Sequence, residues 1–332
     1  MTQNRRAVVI GAVLALLGLY WWTSSRMDPR LSLSEDVPAR EPPTQHYDLL
    51  PEATLRLPSG IINVGHYRFI EQNGVFREME QYNNDWLAKH GGTVRSMGFP
   101  WEVDAFHWFS RRYEYPFHWE RINAHLKLLC RGRGSGDPPL KVLDMGSGIS
   151  FFHYYVQAHA PCPIHVVASD YDRSYGPIFA AMNENEPDNT IEHKFADMRE
   201  REEYQDESYD LIYCVSVIEH IPQIMHANAI QEVARILKTG GAFVVTFDIS
   251  VAPQRAIDPQ GAANLLGMMR MAFVETNPAP RDEIFDAPAH HHLTPINSRV
   301  GSKDMPGKNL AFTVTCHSFV KPRRVVNDLV KK

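Results

Sequence analysis

The sequence predicts an α/β fold, with a doubly wound, mostly parallel sheet preceded by an N-terminal membrane-anchor helix. From residue 140 onward, short apolar runs alternate with helical segments, which is typical of strands joined by crossover helices. Acidic residues and glycines follow several of these runs directly, at positions where a sheet of this kind binds ligands. A separate apolar stretch near the N-terminus is typical of a membrane helix.

Composition fits a folded domain with a large core and excludes one class of partner. The 332 residues are 44% hydrophobic and 22% charged, with a formal net charge of -5. Because there is no basic excess, the composition gives no electrostatic basis for binding nucleic acid, and a small molecule, glycan or lipid is the expected partner. Four scattered cysteines indicate neither a disulfide framework nor a zinc site, and they suit a reducing compartment.

The predicted anchor lies in residues 1–24. Residues 7–22 carry no charge, follow Arg5 and Arg6, and end in Tyr20, Trp21 and Trp22. An aromatic end of this kind is typical of the membrane interface. No small-residue cleavage site follows, so an uncleaved single-pass anchor is favoured over a signal peptide or a peripheral helix.

The rest of the chain divides into three parts. Residues 25–60 are rich in proline and predict a linker, and residues 61–135 predict a helical or lid region with a helix over 119–130. Residues 136–325 predict the main domain, with an insertion over 250–306. A helix over 223–237 is expected to end at Gly240 and Gly241. The predicted strands are 141–145, 164–169, 190–195, 210–215, 242–247 and 310–319.

The motif with the clearest chemistry is LDMGSGISFF. A strand ends at Asp144, and the chain then turns through Gly146 and Gly148, where a Cβ would obstruct a tight turn or a close ligand. A dinucleotide fingerprint would have a third glycine where this chain has Phe151. Asp170 ends the next strand, twenty-two residues after Gly148, at the separation from which a carboxylate bonds ribose hydroxyls.

Residues 140–247 resemble the class I methyltransferases that depend on S-adenosylmethionine. The residues that carry this resemblance are LDMGSG, the strand ending in ASD, and DLIYCVSVIEHI. The resemblance implies a Rossmann-like fold with seven strands, S-adenosylmethionine as cofactor, and methyl transfer as the reaction. Ser147 and Ser150 depart from the pattern, because many relatives have Cys and Gly at these positions.

The resemblance also implies roles for individual residues. Asp144, Gly146, Ser147 and Gly148 would surround the methionine part and the ribose, and Asp170 would hold the ribose diol. Tyr171, Asp197 and Met198 would contact the adenine, and Val215 and Ser216 would line the wall near the sulfonium.

Candidate catalytic groups are less well defined. Glu219 and His220 are candidates for an acid and a base, or they fasten a helix start to the sheet. Tyr115 and His118 lie in an aromatic segment, 110–122, which either covers the cofactor or packs in the core. Three consecutive histidines, 290–292, are expected to form a loop face rather than a metal site. The insertion 250–306 is expected to form the acceptor pocket.

These patterns predict an enzyme that transfers a methyl group to oxygen or nitrogen of a small-molecule, glycan or lipid-linked acceptor near a membrane. The alternatives are a nicotinamide-dependent reaction on the same fold and a non-catalytic, membrane-tethered scaffold. The charges that flank the anchor are nearly balanced and weakly favour a cytosolic N-terminus, which would place the catalytic domain outside the cytosol. S-adenosylmethionine is supplied in the cytosol, and on this argument the catalytic domain is expected to face the cytosol.

Overall fold

The computed structural model describes residues 57–62, 66, 70–101, 103–108, 110–134, 136–186, 188, 191–201, 204–250, 257–278 and 312–323. The predicted anchor, most of the predicted linker and the three histidines at 290–292 lie outside this described part. Within the described ranges, no helix is both long enough and apolar enough to cross a bilayer.

One sheet forms the centre of the described structure, and its strands confirm the predicted α/β class. The spatial order is β4-β3-β2-β5-β6-β8-β1, with β7 also paired to β8. Strands β2 to β6 pair in parallel, and β8 runs antiparallel to β6. Within the described residues the sheet therefore has eight strands, where seven were expected. The strands are β1 (Gly60–Ile61), β2 (Leu140–Met145), β3 (Ile164–Asp170), β4 (Glu192–Phe195), β5 (Tyr209–Val215), β6 (Leu237–Ser250), β7 (Val274–Glu275) and β8 (Phe312–Val320).

Helices cover both faces of this sheet. Successive side chains of a strand point to opposite faces, so Val142 joins one apolar cluster and Leu143 the other. Helices α1 to α4 contribute to the first cluster, and α5 and α6 to the second. The helices are α1 (Gly74–Ser96), α2 (Arg111–Leu129), α3 (Phe152–Ala158), α4 (Gly176–Glu184), α5 (His226–Ile236) and α6 (Pro259–Ala272).

Two short strands together cover the outer edge of β8. In β7, Glu275 pairs with Phe319, and in β1, Gly60 pairs with Cys316, so the two strands lie one after the other along the same neighbour. The Ile62 N–H continues the pairing by donating to the Val314 carbonyl at 2.9 Å. Residues 57–60, at the end of the predicted linker, are therefore part of the folded domain.

The N-terminal helical region packs against the sheet at α2. This helix begins at Arg111, eight residues before the predicted start, and its middle contains Pro116. Its side chains are buried on nearly all sides, which is why the apolar spacing after Trp119 revealed only its second half.

The predicted end of the helix at Gly240 and Gly241 is wrong. Helix α5 ends at Ile236, and the chain enters β6 at once through Leu237 in an extended conformation. Gly240 has a φ of +82° and donates its N–H to the Lys321 carbonyl at 2.9 Å. Gly240 and Gly241 therefore form backbone hydrogen bonds with Lys321, just after β8, instead of ending a helix.

The expectation that no cysteines pair is also corrected. Cys130, at the end of α2, forms a disulfide with Cys162, which lies just before β3. Cys214 and Cys316 are buried free thiols. The two cysteines are 32 residues apart in the sequence, and such spacing does not show which cysteines meet in space.

Candidate functional site

The glycine loop after β2 is tight because of its neighbours. The N–H groups of Gly146 and Ser147 both donate to the Ser169 carbonyl in β3, at 2.8 and 2.9 Å. Gly146 has a φ of +80°, and a Cβ there would lie 2.6 Å from the side chain of Val217. A glycine is therefore required at this position by both backbone conformation and space.

The second glycine connects this loop to the acid at the end of β3. The Gly148 N–H donates to Asp170 Oδ2 at 2.9 Å, and the Asp172 N–H donates to Oδ1 at 3.0 Å. A Cβ at Gly148 would meet no atom within 4 Å, so the backbone here borders open space. The loop thus leaves room for a ligand beside a carboxylate whose two oxygens each keep one lone pair.

Asp144 lies beneath the same loop, with 3% of its surface exposed. Burial raises the pKa of its carboxyl, and the His153 ring, whose Nδ1 is 3.2 Å from Asp144 Oδ2, acts in the opposite direction. Tyr213 is its neighbour across the sheet on β5. His153 was not among the predicted site residues, because a histidine within a helical run gives no signal of its partner.

The residues implied in adenine binding border the carboxyl ends of β3 and β4. Tyr171 is 75% exposed, which leaves its ring available to stack on a flat ligand, whereas Met198 is buried. Asp197 is held by Arg199, whose Nε lies 2.8 Å from Asp197 Oδ1. This hydrogen bond lowers the pKa of Asp197.

Phe151, which replaces the third glycine of a dinucleotide fingerprint, belongs to the core. Its ring centroid is 5.2 Å from that of Tyr115 and 5.7 Å from that of Phe106. Tyr115 also packs against Phe152 at 4.8 Å. Burial raises the pKa of Tyr115 to about 12, so its hydroxyl stays protonated at neutral pH.

His118 is also a core side chain. It is fully buried, and its Nε2 lies 3.2 Å from Thr246 Oγ1 on β6. Burial lowers its pKa to about 3, so the ring is neutral in the physiological range. Both aromatic candidates thus hold α2 against the sheet.

Helix α2 also brings charge to the carboxyl ends of β5 and β6. The buried Glu114 carboxylate accepts hydrogen bonds from Ser216 Oγ, from Arg111 and, at 2.9 Å, from Ser110 Oγ. Burial alone would raise the pKa of Glu114, but the Arg111 charge and these bonds lower it. Ser216 itself adopts a φ of +46° just after β5, where Val215 pairs with Thr246.

Glu219 and His220 lie in the short helical turn 218–220 that follows. Glu219 is 7% exposed, and its Oε1 accepts the Asp248 N–H at 3.2 Å. Burial and the nearby Asp248 raise the pKa of Glu219 well above its ordinary range, and burial raises the pKa of Asp248 to about 7. His220 is exposed as a whole residue, but neighbouring protein atoms partly exclude water from its ring. This desolvation, together with the Arg111 charge, lowers its pKa.

The structure therefore adds three residues to the predicted site. Arg111, Glu114 and Asp248 surround Glu219. Asp248 directly follows the predicted strand 242–247, as Asp170 follows the predicted strand 164–169, and this shared position was the signal available for it. The sequence left the segment 110–122 either over the cofactor or in the core, and it gave no sign of which groups would meet Glu114.

Comparison with known proteins identifies the domain around this site. Residues 143–245 match the family described as "Methyltransferase domain". No curated protein sequence matches the chain.

Solved structures give three further similarities. The [4+2]-cyclase SpnF is 16% identical with a TM-score of 0.41, covering 60% of this chain and 81% of its own. A geranyl diphosphate methyltransferase in complex with SAM is 13% identical with a TM-score of 0.41, covering 68% and 94%. The N-methyltransferase NodS from Bradyrhizobium japonicum is 16% identical with a TM-score of 0.37, covering 63% and 98%.

The matched family spans β2 to β6, the strands whose carboxyl ends carry the glycine loop, Asp170 and the turn at Glu219. Together with the parallel order β4-β3-β2-β5-β6 and the antiparallel β8, this match shows that the chain carries a class I S-adenosylmethionine-dependent methyltransferase domain.

Proposed function

We propose that this enzyme binds S-adenosylmethionine across the carboxyl ends of β2 to β5 and transfers its methyl group to oxygen or nitrogen of a small-molecule, glycan or lipid-linked acceptor. The observation that carries the proposal is the contact between Gly148 and Asp170. A backbone N–H fixes the carboxylate at 2.9 Å, and open space lies where a Cβ would be. A ribose can occupy the open space beside the Gly148 backbone, where its hydroxyls can donate to Asp170.

Each part of the site has a distinct task in this proposal. Asp170 accepts hydrogen bonds from the ribose hydroxyls, and the exposed Tyr171 ring covers the adenine. Asp144, held by His153, lies at the methionine end of the glycine loop. Ser216, held by Glu114, forms the wall near the sulfonium.

The cofactor supplies a methyl group already activated by the sulfonium charge. The protein then has to hold the acceptor atom in line with that group and to accept a proton when the acceptor carries one. Asp170 and Ser216 contribute to the first task by fixing the position of the cofactor. Such positioning removes much of the entropy cost of bringing the two reactants together.

Calorimetric titration with S-adenosylmethionine, S-adenosylhomocysteine and NADH tests the cofactor. We expect the first two to bind and NADH not to bind. Asp170→Ala should weaken binding roughly tenfold to hundredfold, because a hydrogen bond to a charged group contributes about 1.5–3 kcal/mol. The exposed Glu184→Gln is the matched control and should bind normally. A folded protein that binds neither S-adenosyl compound would favour the scaffold alternative.

Attachment to a membrane is a second part of the proposal. Its support is the uncharged run 7–22 with its aromatic end. Full-length protein should stay with membranes during alkaline carbonate extraction, whereas a chain beginning at residue 48 should be released. Release of the full-length chain would argue against the anchor. A cytosol-facing catalytic domain remains our prediction.

A further inference from the structure

Four charged side chains meet where β5 and β6 end. Arg111 and Glu114 come from α2, Glu219 from the turn 218–220, and Asp248 from β6. Arg111 pairs with Glu114, whose carboxylate is satisfied by this arginine and by two serine hydroxyls. Two acidic groups, Glu219 and Asp248, therefore remain beside an ion pair that is already complete.

These two carboxyl groups each keep one oxygen without a partner. Within the described residues, Glu219 Oε2 and Asp248 Oδ1 are buried and make no hydrogen bond. Glu219 is more than nine-tenths buried, with 7% exposure, so its free oxygen is removed from solvent. A buried carboxyl oxygen without a donor costs free energy. The two residues are neighbours, because the Asp248 backbone N–H donates to Glu219 Oε1 and the two carboxyl groups interact electrostatically. Such a pair is suited to a ligand that brings several donors.

The pair also lies next to the proposed methyl position. The Ser216 N–H donates to the Thr246 carbonyl at 3.0 Å, which joins the strand ends that lead to Glu219 and Asp248. Val217, between Ser216 and this pair, lies close enough to Gly146 to forbid a Cβ there. Glu219 and Asp248 therefore lie at the same end of the sheet as the proposed sulfonium wall.

We infer that Glu219 and Asp248 bind the protonated amine of the methyl acceptor, so that this enzyme is an N-methyltransferase acting on an amine. The inference rests on the proposed function and narrows its acceptor. An ammonium group offers up to three donors for the two free carboxyl oxygens. Its positive charge also favours the ionised form of both groups, which burial alone disfavours. A hydroxyl group offers one donor and no charge, and it would leave one of the two oxygens unsatisfied.

In this inference Asp248 takes the proton that the amine has to lose. One N–H bond of the bound ammonium breaks, its proton moves to the Asp248 carboxylate, and the nitrogen keeps the electron pair. That pair forms the new bond to the methyl carbon, while the electrons of the C–S bond stay on sulfur. Glu219 stays in place as the second acceptor, held through the Asp248 N–H.

Asp248 is faced by charged and titratable groups from three elements. They are Glu114 and Arg111 of α2, Glu219 of the turn, and Cys316 of β8. Burial and the Glu114 charge raise the pKa of Asp248, and the Arg111 charge acts against them. Burial also raises the pKa of Cys316, so this thiol stays neutral and does not supply the titration.

Thermal shift measurements test the amine site without turnover. The full-length protein is saturated with S-adenosylhomocysteine, and then methylammonium, butylammonium or 2-phenylethylammonium is added, each beside the alcohol of the same skeleton at equal ionic strength. We expect at least one amine to raise the melting temperature more than its alcohol. Glu219→Gln with Asp248→Asn should abolish this difference, and the exposed Glu184→Gln should retain it.

Two outcomes overturn the inference while leaving the proposed function intact. The first is S-adenosylhomocysteine binding with no amine giving a larger shift than its alcohol. The second is an amine effect that persists in the double variant. Failure of S-adenosylhomocysteine to bind wild-type protein instead overturns the proposed function and the amine inference together.

The pH dependence of the methyl-transfer rate tests whether Asp248 accepts the proton or has only a structural role. With the amine that gives the largest shift, the rate should rise as Asp248 loses its proton near neutral pH. Asp248→Asn should remove that rise and lower the rate by about 10²–10⁴, the usual contribution of a general base. An unchanged profile in this variant would show that Asp248 does not accept the proton.

Discussion

At the scale of single residues, the site depends on a few positions that allow little substitution. Gly146 and Gly148 are two residues apart and differ in their surroundings. The first is packed against Val217, and the second borders open space. This difference makes them a matched pair for separating the stability of the loop from its ability to bind a ligand.

Gly146→Ala should lower both stability and cofactor affinity. The left-handed φ of +80° costs roughly 1–2 kcal/mol for a residue with a Cβ, and the 2.6 Å approach to Val217 adds a steric term. Gly148→Ala, at φ +52° with no neighbour within 4 Å, should lose only the backbone term. Its added methyl group should still weaken S-adenosylmethionine binding, because it enters the space for the ligand. Denaturant unfolding and calorimetry of both variants measure the two effects. Equal stability of Gly146→Ala and wild type would contradict this account.

The site residues predicted from the sequence agree best with the structure where an acidic residue ends a strand. Asp144 and Asp170 were predicted because an acid after an apolar run is visible in one dimension. Glu114 was not, since its partners Ser216 and Arg111 meet it only after α2 has packed across the sheet. Tyr115 and His118 show the reverse case, in which residues with suitable chemistry turn out to be neutral core side chains.

At the scale of elements, the edge of the sheet depends on chain from far away in the sequence. β1 lies along β8, and the segment before it is tied to α2. The Leu57 N–H donates to Glu120 Oε2 at 2.9 Å, and the buried Arg121 donates to the Leu57 carbonyl at 2.6 Å. Helix α2 is therefore held from both sides, by the sheet and by the segment ahead of β1.

Removal of this segment should be costly. A chain beginning at residue 64 lacks β1 and leaves the buried Arg121 without its carbonyl partner, and an unsatisfied buried donor costs about 1–3 kcal/mol. For a domain of this size, that corresponds to a fall of roughly 5 °C in melting temperature. It also exposes the edge of β8, so aggregation should increase. A chain beginning at residue 48 is the control and should melt near the full-length value. Equal melting of the two shortened chains would show that β1 does not stabilise the domain.

Six of the eight strands in the described residues were predicted, because each contains a short apolar run. The composite edge of β1 and β7 was missed, since two-residue strands carry no periodic signal. Gly240 was assigned to the wrong element for a related reason. A glycine after a helical run suggests a helix end, but here the left-handed residue serves the contact with Lys321.

At the scale of the whole molecule, the disulfide between Cys130 and Cys162 restrains the chain between α2 and β3. A loop closed over 32 residues should stabilise the fold by about 3–4 kcal/mol through the entropy of the unfolded chain. Cys130→Ser with Cys162→Ser should lower the melting temperature by roughly 10 °C.

Reductant provides the control for this effect. Dithiothreitol should bring wild-type protein to the melting temperature of the double variant and leave the variant unchanged. A wild-type protein insensitive to dithiothreitol would show that the bond contributes nothing. The free thiols Cys214 and Cys316 are buried and should not react with a maleimide until the protein unfolds.

The same disulfide bears on how the enzyme obtains its methyl donor. Disulfides persist in oxidising compartments and are rare where glutathione keeps thiols reduced. Maleimide labelling of rapidly quenched cells reads out which state Cys130 and Cys162 have there. Free thiols in cells agree with a domain that draws on the cytosolic cofactor pool. A bonded pair places the domain across the membrane from that pool, and methylation would then depend on a carrier that imports S-adenosylmethionine and exports S-adenosylhomocysteine.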